Sequence, residues 1–259
     1  MKAEIIGEGK PEVAVVGLVH GDEACGLRAI RRFKEEVKNG NYSLEKSVKL
    51  VLANEKAFNQ GKRYVDKDLN RSFPGSHESD QYEERLAARL RGELEGLKVL
   101  DLHASESPKT PFAIISGMEK GGIEVAETTC MENLVEISFV KGSLIDDLDA
   151  AVVECGFHNE QESAEVAYNV TVNFLAAHDV IEQKHDTVQP EIYKVTGKEE
   201  GEKFEFVAEN FAPVEKGEIY AKKSGEERKA EEKFWPILMS TNGYNEMIGF
   251  RGQKVEKEL

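Results

Sequence analysis

With 259 residues the chain is long enough to bury a full core as one large domain, or one domain plus a small appendage, and it needs no disulfide scaffold. Hydrophobic residues at 40% and charged residues at 32% describe a soluble globular protein, and a net charge of -15 leaves little room for the basic face that a nucleic-acid partner requires. The longest apolar runs, such as "VAVVGLV", are too short to span a bilayer, and "MKAEIIGEGK" lacks the apolar core of a signal peptide, so a cytoplasmic protein without a membrane partner is expected.

Cys25, Cys130 and Cys155 are odd in number and widely spaced, as reduced thiols are, and no cysteine pair has metal-ligand spacing. Acidic stretches such as "HESDQYEE" read as solvated helix faces.

In chain order, "EVAVVGLVH" is a short Val-rich run of the kind that forms a buried parallel strand. "EACGLRAIRRFKEEVKNG" follows with helical spacing and a stop at Gly40. "SVKLVLAN" is a second strand. Residues 55 to 77 show no periodicity, and a connection that long inside a compact domain is either disordered or functional; its aromatic, Arg and Asp content favours function. "SDQYEERLAARLRGELEG" is a helix, "LKVLDLHAS", "FAIISG", "LVEISFV" and "AAVVECG" are strands, and "QESAEVAYNVTVNFLAAH" is a closing amphipathic helix. The alternation specifies an α/β protein with a mostly parallel, mixed sheet and helices on both faces. After about residue 185 the runs "EIYKVTG", "EKFEFVAEN", "GEIYAKK" and "FWPILMS" are short and strand-like. Residues 1–184 are therefore expected to form one domain and residues 185–259 a small β-rich domain.

A hydrolytic zinc site takes three protein ligands and keeps an open position, and two His plus one Glu is a known set. His20 at the end of the first Val-rich strand and Glu23 at the start of the next helix project into one crevice, where open α/β sheets bind ligands. An HxxE pair alone also suits a polar turn with a helix-start carboxylate. Strand alternation in "LKVLDLHAS" puts Asp101 and His103 on one face and Leu100 and Leu102 on the other, so His103 can be a third ligand and Asp101 its support. His77, His158, His178 and His185 sit in a loop, after a strand, or at and beyond a helix end. Glu154 stands in the otherwise apolar "AAVVECG", where a carboxylate needs a partner or a purpose.

Together with His20, Glu23 and His103, the loop segment "KRYVDKDLNRSFPG" (residues 62 to 75) resembles the succinylglutamate desuccinylase and aspartoacylase family of the zinc carboxypeptidase-like superfamily. The ordered set HGDE, RYVDKDLNR, DLH and VECG carries the resemblance, which covers residues from about 12 to 178 well and the C-terminal part loosely. It implies that His20, Glu23 and His103 bind one zinc ion per chain. It further implies that Arg63 polarises the scissile carbonyl, that Asn70 and Arg71 hold a substrate carboxylate, and that Glu154 acts on the water at the zinc. Tyr244 would complete the pocket from the C-terminal domain.

The expected activity is hydrolysis of a small N-acyl amino acid. A carboxypeptidase acting on peptides, or a metal-bearing binding protein without turnover, are the alternatives. Relatives that select a dicarboxylic amino acid use a further Arg shortly before the catalytic Glu, yet this chain has no Arg from Gly92 to Glu227. Lys141 could stand in as a point charge, or the pocket takes a neutral or cationic side chain. Neither the oligomeric state nor the acyl group is legible in the sequence.

Overall fold

The computed structural model describes residues 1–105, 110–118, 121–158, 160–241 and 246–255. Strand β1 (Lys2–Ile6) precedes β2 (Val13–Gly17), helix α1 (Cys25–Lys38) and β3 (Val48–Leu52). The long connection carries a short helix α2 (Glu55–Asn59) and one 3-10 turn (Leu69–Arg71) before α3 (Tyr82–Leu94) and β4 (Lys98–Ser105). Then come β5 (Phe112–Ile115), α4 (Gly122–Glu127), β6 (Asn133–Glu136), α5 (Leu144–Asp147), β7 (Ala150–Phe157) and α6 (Gln161–Ala177). The remainder is all strand: β8 (Glu191–Glu200), β9 (Glu205–Phe206), β10 (Ile219–Lys223), β11 (Glu226–Lys229), β12 (Trp235–Ile237) and β13 (Met247–Val255).

Ten strands form one mixed sheet in the order β1-β3-β2-β4-β7-β5-β6-β8-β13-β12. Its centre, β3-β2-β4-β7, is parallel, and β5 joins β7 antiparallel. As the apolar runs require, the central strands bury both faces. Val13 and Val15 on β2, Leu100 and Leu102 on β4, and Ala151, Val153 and Cys155 on β7 face α1, α4 and α6. Ala14 and Val16, Val99, Ala150 and Val152 face α3 and α5. Helices thus cover both faces. The period-2 reading of β4 is confirmed, and Glu154 shares the α3 side with His103.

The expected boundary after residue 184 falls between α6 and β8. Beyond it β8, β13 and β12 continue the main sheet, β8 pairing parallel with β6, while β9, β10 and β11 form a separate antiparallel sheet around Phe204, Tyr220 and Phe234. All three cysteines are free, and no described helix is long and apolar enough to cross a membrane.

Two expectations are corrected. Residues 55 to 77 are not without regular structure, and the acidic stretch that runs into the first turn of α3 is not wholly solvated: Glu83 is fully buried. Its carboxylate accepts from the backbone N–H groups of Val65 (2.6 Å), Asp66 (2.9 Å) and Lys67 (3.2 Å) and from Asn54 Nδ2 (3.0 Å). The loop has too few apolar residues to fold by burial, and one buried carboxylate satisfies the donors that it cannot pair by itself. Glu83→Ala leaves these groups without their acceptor and is expected to lower stability by roughly 2–5 kcal/mol, read as a fall in Tm by calorimetry.

Candidate active site

Strand β2 ends at Gly17, and Leu18 turns the chain with φ at +60°. This turn delivers His20 and Glu23, both buried, just ahead of α1. Gly21 between them passes beneath the end of α2. A Cβ there would lie 2.3 Å from Phe58 N and 2.4 Å from Lys62 O, so only glycine fits. Its N–H donates to Arg63 O at 2.9 Å, which ties the turn to the long connection.

His103 comes from the next strand in the sheet, β4, and its register partner on β7 is Glu154. The sheet order therefore sets the carboxyl ends of β2, β4 and β7 side by side.

One ligand atom from each of His20, Glu23 and His103 lies within 4.8 Å of the others. His20 Nδ1 faces Glu23 Oε1 at 2.8 Å, and His103 Nδ1 faces Glu23 Oε2 at 2.9 Å. The opposite ring nitrogens are held by carboxylates, His20 Nε2 by Asp68 at 3.1 Å and His103 Nε2 by Asp101 at 2.9 Å. Both imidazoles thus present Nδ1 inward and are oriented from behind, the arrangement that supports metal-ligating histidines.

Burial opposes charge on these rings, but Glu23 and Asp68 raise the pKa of His20, and Asp101 and Glu23 raise that of His103 well above its usual value. Burial likewise opposes the charge of Glu23, yet the facing imidazoles hold it well below the usual carboxylate range.

The donor set fits a divalent metal. With the imidazoles neutral, three carboxylates (Glu23, Asp68 and Asp101) face one guanidinium, Arg63, which donates to Glu23 Oε1 at 2.7 Å. A buried ligand cluster with that imbalance favours a dication.

Among the described residues Glu154 has no lysine partner, and its buried Oε2 meets no hydrogen-bond partner. Burial, reinforced by Glu23, pushes its pKa up to about 7 against the pull of His103, His20 and Arg63. A cavity of about 590 Å³ opens over this cluster, lined by Glu23, Arg63, Arg71 and Glu154 among others.

Not every expected residue joins them. Asn70 turns its Oδ1 toward the Leu144 N–H at 3.4 Å and braces the neighbouring loop, with no place in the cavity wall. Arg71 lines the cavity and donates from Nη1 to Asn70 O at 2.6 Å. Lys141 is drawn to Asp146 at 3.3 Å and is absent from the wall. Tyr244 lies outside the described residues.

The wall also holds residues that sequence reasoning passed over. Lys198 reaches it from β8, Phe139 from the turn after β6 and Phe250 from β13. His158, which follows the Glu154 strand and is expected from the sequence to cap the next helix or touch substrate, places Nε2 3.7 Å from Glu23 Oε1 and 2.6 Å from Ala104 O. Asp68, inside the "RYVDKDLNR" segment, had a local signal; Lys198 and Phe250 had none, because strand pairing brings them in.

Residues 9–130 match the succinylglutamate desuccinylase/aspartoacylase catalytic domain, a stretch that holds His20, Glu23, Arg63 and His103 and ends before Glu154. A probable aspartoacylase of Prochlorococcus marinus is 33% identical over 116 residues, 40% of this chain and 38% of that protein. The succinylglutamate desuccinylase of Burkholderia lata is 35% identical over 75 residues, 29% of this chain and 21% of that protein. The chain therefore matches well under two thirds of the length of these relatives.

Among solved structures, the product-bound ectoine utilization protein EutE (DoeB) from Ruegeria pomeroyi superimposes with a TM-score of 0.77 at 20% identity, over 98% of this chain and 88% of that one. A succinylglutamate desuccinylase/aspartoacylase from Rhodobacter sphaeroides gives 0.77 at 18% identity, over 98% and 89%. These two likenesses show the fold. The catalytic-domain signature over residues 9–130 and the partial matches to these relatives make the chain similar, over that stretch, to the succinylglutamate desuccinylase/aspartoacylase family.

Proposed function

We propose that the protein is a zinc-dependent amidohydrolase that removes the acyl group from a small N-acyl amino acid. The observation that carries this reading is Glu154: a buried carboxylate oxygen without a partner among the described residues, beside His103, in a cavity lined also by Glu23 and two arginines. The relatives' names, aspartoacylase and succinylglutamate desuccinylase, are those of deacylating enzymes.

His20, Glu23 and His103 would hold the ion, with Asp68 and Asp101 fixing the two rings. When bound, it supplies Lewis acidity and a lowered pKa for a water molecule. Glu154 is the group placed to take a proton from the attacking water and return it to the leaving amine, and its lifted pKa suits both directions of transfer. Arg63, which lines the same cavity and donates to Glu23, is the cation that would stabilise the oxyanion developing on the carbonyl. Arg71 holds the substrate carboxylate with two parallel donors. Asn70 contributes by anchoring the segment at Leu144 next to Arg71.

The part of the chain from residue 185 narrows the entrance, since Lys198, Met247 and Phe250 all line the cavity. A volume of about 590 Å³ suits a small molecule. That favours an N-acyl amino acid over the polypeptide of a carboxypeptidase.

Glu154→Gln is expected to keep one equivalent of zinc by elemental analysis while losing at least about 100-fold in kcat on N-acetyl amino acids. Arg63→Ala is expected to lose about 100- to 1000-fold in kcat, with the larger part of the loss outside KM. Dialysis against a chelator should abolish turnover and lower Tm, and added zinc should restore both. Full activity in the chelated protein would sink the proposal.

A further inference from the structure

The cavity has one wall that the hydrolytic chemistry does not use. Phe139, in the turn after β6, is 49% exposed, a large apolar side chain left open in a chain of net charge -15. It is nevertheless anchored: its ring meets that of Phe250 on β13 edge to face, with centroids 6.0 Å apart, and Phe250 is buried in the core on the α3 side. Val140 and Met247 flank the pair along the same wall.

The turn is also fixed to the chemistry. Phe73 N donates to Gly142 O at 3.0 Å, and Gly142, with φ at +90°, packs so closely that a Cβ would lie 3.1 Å from the backbone of Arg71. The apolar wall therefore stands at a set distance from the carboxylate-binding arginine.

The cations around it point the same way. Arg63 is engaged by Glu23 and lies near Asp68. Arg71, itself exposed and with Nη1 on Asn70 O, is already assigned to one carboxylate in the reading above. Lys198, opposite Phe250 in the β8–β13 pairing, is exposed and offers only a solvent-screened charge. A second carboxylate set against Phe139, Val140, Met247 and Phe250 would give up water to side chains that return no hydrogen bond, whereas an aliphatic or aromatic group gains by leaving water there.

We propose that this wall is a subsite for an apolar group of the substrate, so that the protein selects N-acyl amino acids bearing an aliphatic or aromatic group over those bearing a second carboxylate. The inference rests on the hydrolase reading above. The apolar group belongs either to the acyl part or to the amino-acid side chain, and the two sources present the same chemistry to the wall.

Zinc-loaded Glu154→Gln separates binding from turnover. Dissociation constants by ligand-detected NMR would be compared along N-acetyl-, N-butyryl- and N-hexanoylglycine, along N-acetylglycine, -leucine and -phenylalanine, and for N-acetylaspartate. Affinity is expected to rise at least about tenfold along one series, which identifies the source, and Phe139→Ala in the same background should flatten that rise. Flat affinities in both series would overturn the proposal. So would N-acetylaspartate binding tenfold tighter than N-acetylleucine with the advantage lost in Lys198→Met. Turnover by the unsubstituted protein is read separately. Tight apolar binding without hydrolysis of any compound refutes the hydrolase reading and supports the subsite; hydrolysis of N-acetylglycine with no gain from apolar groups refutes the subsite alone.

Discussion

Glu23 is a carboxylate with almost no access to water, and the site is built around what that charge demands. An isolated buried anion is unaffordable in a protein interior, so its oxygens must be met by donors from several directions. His20 approaches one oxygen from the same turn, Arg63 meets that oxygen from the long connection, and His103 and the Ala104 N–H meet the other from β4. Three separate stretches of chain are thereby drawn to one point. The same charge is shared by both imidazoles, whose pKa values it raises, and it adds to the lifting of the Glu154 pKa.

That convergence would fail without the sheet behind it. Strand β4 lies between β2 and β7, so His103 has Glu23 on one side and Glu154 on the other, all at carboxyl ends of parallel strands. In open α/β sheets this edge is where loops diverge and leave a crevice. The connection from α2 to α3 fills part of it. It is ordered by the buried Glu83 carboxylate at its base and by Asp68, which caps the 3-10 turn through the Asn70 N–H while holding His20. A loop that carries the charged groups of a site cannot also be a source of apolar burial, so its shape is held by carboxylate-to-backbone bonds.

The far half of the molecule completes the enclosure. Strands β8, β13 and β12 continue the main sheet past β6, and their side chains return over the cavity as Lys198, Met247 and Phe250. Phe139 and Val140 approach from the turn after β6, held to the Arg71 segment by Gly142. The polar floor and the apolar wall are thus contributed by parts of the chain remote from one another in sequence, and the distance between them is set by packing.

The amino-acid sequence alone determined the features that rest on local periodicity and short spacing. The Val-rich run before His20, the alternation that put Asp101 and His103 opposite Leu100 and Leu102, and the carboxylate stranded in "AAVVECG" were each readable, because side-chain direction along a strand follows from its two-residue repeat. Only the tertiary structure decided what depends on which strands pair and which loops meet. Glu83 looked like a solvated helix-start acid until the loop folded over it. Asn70 accepted a backbone N–H from Leu144 instead of lining the cavity. The lysine at the cavity proved to be Lys198, because Lys141 found Asp146 nearby. Such choices are made by contacts between residues far apart in the chain, and no spacing within a single element encodes them.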